Sequence, residues 1–182
     1  TSEAGDGISV WNAPGARIVG NTVRGGRDGV LSRISRDNVF ERNSFSGLRF
    51  AIHYMYTQDS RVVGNRSRDN HVGWAIMYSD RLEVRDNVSD DARDHGLLLN
   101  TTNDSRVVGN IVRRSRDKCV FVYNANHNVL RDNWFEGCPI GIHFTAGSEG
   151  NAMTGNAFVA NRLQVKYVGT RFVDWAHDGR GN

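Results

Sequence analysis

Two histidines and two methionines pose the chemical question in this chain of 182 residues. His53 and Met55 stand two residues apart in Phe50-Ala51-Ile52-His53-Tyr54-Met55-Tyr56, and Met77 stands in Trp74-Ala75-Ile76-Met77-Tyr78. Imidazole and thioether together form a soft donor set suited to Cu(I). Zn(II) would ask for more nitrogen or thiolate. His95 is a candidate fourth ligand that could swing in from a neighbouring turn. The same residue types also pack partly buried faces without binding anything. The set means copper only if an architecture brings His53, Met55, Met77 and His95 together. Asp94-His95 also suits a second chemistry, a base and the carboxylate that orients it, as a polysaccharide lyase or epimerase needs. His71 and His127 fall in turns and His177 near the end of the chain, where solvation is expected.

The elements that would position these residues are legible as a repeat. Arg17-Ile18-Val19-Gly20-Asn21 returns as Arg61-Val62-Val63-Gly64-Asn65 and Arg106-Val107-Val108-Gly109-Asn110. Looser copies end at Asn43, Asn87, Asn133 and Asn156, so the steps are 22 or 23 residues. A fixed period of this size marks a solenoid. Three positions before each asparagine stands an apolar residue, from Ile18 and Phe40 to Leu130 and Met153. A second apolar column runs Ile8, Val30, Ile52, Ile76, Leu97, Val120, Ile142 and Val165. One such unit cannot bury its own apolar side, and stacking buries a continuous core. Before the asparagines stand Gly20, Gly64, Gly109, Gly155, Asp86, Asp132 and once Arg42. Gly and Asp tolerate a left-handed bend, and an asparagine repeated at one place can form a ladder between coils. The expected fold is all-β: a right-handed, single-stranded parallel β-helix over residues 1–170, of about seven coils of 22–23 residues, stacked ~4.8 Å apart. The handedness rests on analogy and the crossover rule. After Gly169 the pattern fails, and 171–182 reads as an exit segment.

Strand parity assigns the faces. With Ile52 and Tyr54 inward, His53 and Met55 face out. Carried through the stack, one outward column reads Ser9, Leu31, His53, Met77, Leu98, Phe121, His143 and Lys166. The other reads Trp11, Arg33, Met55, Ser79, Asn100, Tyr123, Thr145 and Val168. Tyr54 and Tyr78 are expected inside, as is Met153. These columns hold no Asp or Glu, which weighs against a carbohydrate enzyme and leaves a purely structural docking solenoid as a third class. An aromatic and aliphatic outer face suggests a covered or binding surface.

Composition agrees with a thin, turn-rich solenoid: 38% hydrophobic residues, 20 Gly and only 2 Pro. The formal charge is +3, and Arg alternates with Asp in the turns, which reads as solvated turns and not a nucleic-acid stripe. No run is long enough to cross a membrane. Cys119 and Cys138 lie on neighbouring coils about three positions out of register. Free half-buried thiols are the leading reading, with a disulfide or a metal ligand open. Neither end carries the polar cap a solenoid needs, so further residues are expected on both sides.

Longer runs carry a family resemblance. They are Ala51-Ile52-His53-Tyr54-Met55-Tyr56-Thr57, Gly73-Trp74-Ala75-Ile76-Met77-Tyr78-Ser79-Asp80, Asp94-His95-Gly96-Leu97-Leu98-Leu99-Asn100, Lys118-Cys119-Val120-Phe121, Gly141-Ile142-His143-Phe144-Thr145-Ala146-Gly147-Ser148 and Gln164-Val165-Lys166-Tyr167-Val168-Gly169-Thr170. With them the stretch from Phe50 to Trp175 resembles the NosD family, periplasmic β-helix proteins of nitrous oxide reductase maturation. The resemblance implies a protein without turnover, associated with copper. It implies an ABC transporter of permease and ATPase as partner, with nitrous oxide reductase, whose copper–sulfide centre is assembled. It also implies a fragment that lacks the first coils and the C-terminal region.

Overall fold

The structure is a computed structural model that describes residues 4–169, 173–176 and 179–182. Every regular element among the described residues is a β-strand, and the strands pair in parallel. Each coil gives one strand to each of three sheets of eight, seven and seven strands. Coil three, for example, contributes Arg61–Val63, Arg66–Arg68 and Val72–Asp80. The result is the parallel β-solenoid of about seven turns that the repeat predicts.

The seven asparagines lie on one line. Each side-chain oxygen accepts the backbone N–H and the amide of the asparagine one coil earlier: Asn43 from Asn21, Asn65 from Asn43, Asn87 from Asn65, Asn110 from Asn87, Asn133 from Asn110 and Asn156 from Asn133, all at 2.8–3.1 Å. From Asn43 onward each amide also donates to a carbonyl of the coil below, as Asn65 does to Phe40 and Asn87 to Val62. Asn182 extends the ladder by accepting from Asn156. The residue before each anchor is left-handed, including Arg42 at φ 52° and Asp86 at φ 56°. This corner turns the asparagine inward, where a bent backbone would otherwise leave polar groups unpaired.

The column Ile18, Phe40, Val62, Val84, Val107, Leu130 and Met153 is paired in register and buried. Removing such side chains from water contributes roughly 1.5–3 kcal/mol each.

In the long strands the structure departs from simple alternation in three ways. First, Trp74, not Ile76, pairs with Ile52 and Leu97. Coil three is thus displaced by two residues from the expected alignment, and Met77 lies opposite Met55. The buried indole packs edge-on against Phe45 at 6.3 Å. Where adjacent coils carry Phe45 and Val112 inside, coils three and four carry Ser67 and Ser89, whose small volume leaves it room. Second, two successive residues face inward at the start of each long strand. A Cβ on Gly29 would meet the Phe45 ring, and one on Gly96 would meet Val112. Asp28 and Leu31 therefore both face outward, and so do their counterparts Phe50 and His53. Third, Tyr78 is not packed inside. It occupies a left-handed corner at φ 49° and stacks on Tyr56 outside, with ring centroids 5.2 Å apart. Tyr54 is buried, as expected.

Cys119 and Cys138 are joined in a disulfide, with Cα atoms 5.7 Å apart. Free thiols were the expectation. Cys119 occupies the doubly inward position, opposite Gly96 and Gly141, and the preceding corner turns Cys138 toward it. The register offset therefore closes at the corner.

Candidate functional site

The sheet of long strands presents the chain's chemistry on its outer face. Its register fixes the neighbours: one column runs Leu31, His53, Ala75, Leu98, Phe121, His143 and Lys166, the next Arg33, Met55, Met77, Asn100 and Tyr123. Ala75 and Met77 replace the expected Met77 and Ser79, and Ser79 is buried. A further outward column carries Asp28, Phe50 and Val72, with Lys118 and His95 paired beyond them. The outer face thus does hold a carboxylate, which parity alone would have turned inward.

His53, Met55 and Met77 are brought together. His53 and Met55 project from the same face of the strand Phe50–Gln58, about 6.6 Å apart along it. Met55 and Met77 are directly opposed on paired strands about 4.8 Å apart, and both are half-buried. The His53 ring is buried edge-on against Phe50 at 4.9 Å. Its Nδ1 lies 2.8 Å from Asp28 Oδ2. Arg49 holds the two oxygens of the same carboxylate at 2.8 and 2.7 Å. Burial alone would push the Asp28 carboxyl up, but the hydrogen bonds from His53 and Arg49 and the charge of both outweigh it, and it sits below the usual carboxylate range. A carboxylate at Nδ1 selects the tautomer with the lone pair on Nε2. That Nε2 is buried and has no hydrogen-bond partner among the described residues. An unpartnered imidazole nitrogen on the same face as two thioethers is a donor set that suits a soft monovalent copper ion.

His95 is not part of this group. It begins the strand His95–Asn103 instead of lying in a turn, and it is buried. Asn100 is the residue opposite Met77, and His95 is five residues earlier. That is about 16 Å along a strand, too far to share an ion with Met77. His95 has its own surroundings: Nδ1 lies 3.2 Å from Asp94 Oδ1 and 3.8 Å from Asp117 Oδ2, and the ring packs edge-on to Phe121 at 5.1 Å. Burial leads in lowering its pKa from the ordinary value, opposed by Asp94 and reinforced by Lys118. Between the two clusters lies an open cleft of about 340 Å³ lined by Phe50, Val72, His95, Leu98, Phe121 and Tyr123. His71 and His127 are exposed, and His177 lies outside the described residues.

Asp28, Asp117 and Lys118 escaped the sequence reading. The signal for Asp28 and Lys118 was a column of small residues, Gly29, Ala51, Gly73, Gly96 and Gly141, just before the apolar column. Two successive inward columns imply that the residue before them faces out.

The family model described as "Periplasmic copper-binding protein (NosD)" matches residues 1–182. A protein of Stutzerimonas stutzeri named "Probable ABC transporter binding protein NosD" is 37% identical over all of this chain and 45% of its own length. Its namesake in Pseudomonas aeruginosa is 41% identical over 57% of this chain and 27% of its own length. The chain spans less than half the length of these relatives. Among solved structures, the periplasmic alginate epimerase AlgG superposes with a TM-score of 0.72 at 17% identity, over 92% of this chain and 47% of that one. At that identity the likeness is one of fold alone. Among the described residues no helix is long and apolar enough to cross a membrane.

Proposed function

This chain belongs to the NosD family, and from that premise we propose that it handles copper in the periplasm without catalysing turnover. His53, Met55 and Met77 hold Cu(I). The whole protein works with an ABC transporter permease and ATPase, and its copper serves assembly of the copper–sulfide centre of nitrous oxide reductase. The family description and the relatives' names support the copper and the transporter. The observation that carries the site is the buried, unpartnered Nε2 of His53 on the face that also carries the opposed pair Met55 and Met77. Such a site is neutral apart from the ion and lies at the surface of the sheet, which suits handing the ion on.

The test is Cu(I) titration under reducing conditions against a competing chelator. The chain takes up one ion. Met55→Leu with Met77→Leu preserves volume and fold and loses most of the affinity. Undiminished affinity in that double variant rules these thioethers out as ligands.

A further inference from the structure

Asp94, His95 and Asp117 form a cluster that the Cu(I) site does not use and that stands independently of it. We propose that these three residues form a second metal site, for a divalent first-row cation of nitrogen–oxygen preference, Zn(II) or Cu(II), with Lys118 as a built-in competitor.

His95 is 8% exposed. Its Nδ1 has no hydrogen-bond partner among the described residues, and the 3.2 Å approach to Asp94 Oδ1 is not aligned as one. The buried nitrogen is aimed between two carboxylates. The three donor atoms lie within 4.8 Å of one another. Donors around a tetrahedral ion with bonds of about 2.0–2.1 Å stand about 3.3 Å apart, so small rotations of the two carboxylates complete three sides of a coordination shell. Burial favours the neutral imidazole, which is the ligand form.

The charge balance points the same way. Several carboxylates elsewhere on this solenoid are clasped by arginines: Asp28 by Arg49, Asp90 by Arg113, Asp91 by Arg114. Asp94 and Asp117 have no arginine partner among the described residues. Asp94 has only His71, its Nε2 3.8 Å away, and His95. Asp117 is held by the Lys118 ammonium, which also lies 4.8 Å over the Phe121 ring. Two carboxylates and a neutral imidazole facing one ammonium remain one positive charge short. A divalent ion supplies it by displacing the lysine, whose flexible stem lets it swing toward solvent. One nitrogen and two oxygens with room for water suit Zn(II) or Cu(II) and disfavour Cu(I), which prefers thioether.

The experiment titrates Zn(II) and, separately, Cu(II), each as the metal alone, into the full chain by calorimetry, with thermal melting to verify fold. One ion binds per chain. Asp94→Asn and Asp117→Asn, at half-exposed positions that leave the core intact, each weaken it about tenfold or more. Lys118→Met tightens it, because the competing ammonium is gone. Met55→Leu with Met77→Leu leaves it unchanged, which separates this site from the Cu(I) site. The proposal is overturned if neither the native chain nor Lys118→Met takes up either ion. It is equally overturned if both Asn variants bind as the native chain does, or if loss of the two thioethers abolishes the binding.

Discussion

Nδ1 of His53 and Oδ2 of Asp28 stand 2.8 Å apart across neighbouring coils, and the contact fixes which nitrogen of His53 remains free. Asp28→Asn replaces an obligate acceptor with an amide that can present either end, so the tautomer is no longer held. Cu(I) affinity is expected to fall about tenfold, read by chelator competition. Equal affinity would mean that Asp28 serves only to anchor Arg49.

The same carboxylate makes stability depend on pH. Its pKa is lower in the folded chain than in the unfolded one, where it is near ~3.9. The unfolded state therefore takes up the proton first. The stabilisation is fully present above the unfolded value and is lost as pH falls through the lower folded value. The gap in melting temperature between the native chain and Asp28→Asn should be constant from pH 7 to 5 and close below pH ~4. A gap that widens on acidification would reverse this sign.

The asparagine ladder predicts a cost that depends on position. Asn87→Ala removes the acceptor of two buried Asn65 donors and one of the donors to the Val62 carbonyl, at roughly 1–3 kcal/mol for each donor left unpaired. Asn21→Ala, at an exposed end, should cost far less. Val84→Asp puts a charge where the native side chain is wholly buried and should exceed about 4 kcal/mol. Denaturant melts of the three variants order them, and equal losses at Asn21 and Asn87 would remove the ladder from the account.

The disulfide closes a span of 19 residues. Chain-entropy reasoning gives about 3 kcal/mol for such a loop, so Cys119→Ala with Cys138→Ala should melt several degrees lower. Reducing agent should lower the native chain to the same value and leave the variant unmoved. Such a bond suits an oxidising compartment, in keeping with the periplasmic description of the family.

Absence of turnover is tested with uronate-containing polymers. The fold is shared with an alginate epimerase, and Asp94 lies beside His95, yet neither unsaturated ends nor a change of sugar configuration is expected. Sustained turnover that vanishes in His95→Gln would instead make this pair a catalytic base and its orienter.

The period, the ladder and the inward column were legible because they depend on residue type at fixed intervals, which a stacked fold copies from coil to coil. The proposed copper ligands were half legible. Alternation correctly turned His53 and Met55 outward but misplaced Met77, since Trp74 and Ile76 are both apolar and only the volume beside Ser67 and Ser89 decides which one pairs with Ile52. Tyr78 was misread because a left-handed corner resets the alternation. Asp28 and Lys118 were missed for a related reason: two inward residues in succession reverse the parity of the residue that precedes them. The pairing of Cys119 with Cys138 depends on how a corner closes, which spacing alone does not describe.

The asparagine rail makes the coil a removable cassette. Its hydrogen bonds are the same from one coil to the next, so joining Gly64 to Asn87 excises 65–86 while Asn43 meets Asn87 with the geometry it now has with Asn65. Met77 leaves with that cassette, and Asn100 arrives opposite Met55. A shortened chain of this kind keeps the scaffold and loses one donor of the soft site, so the length of the solenoid and the composition of its outer face can vary independently, one whole coil at a time.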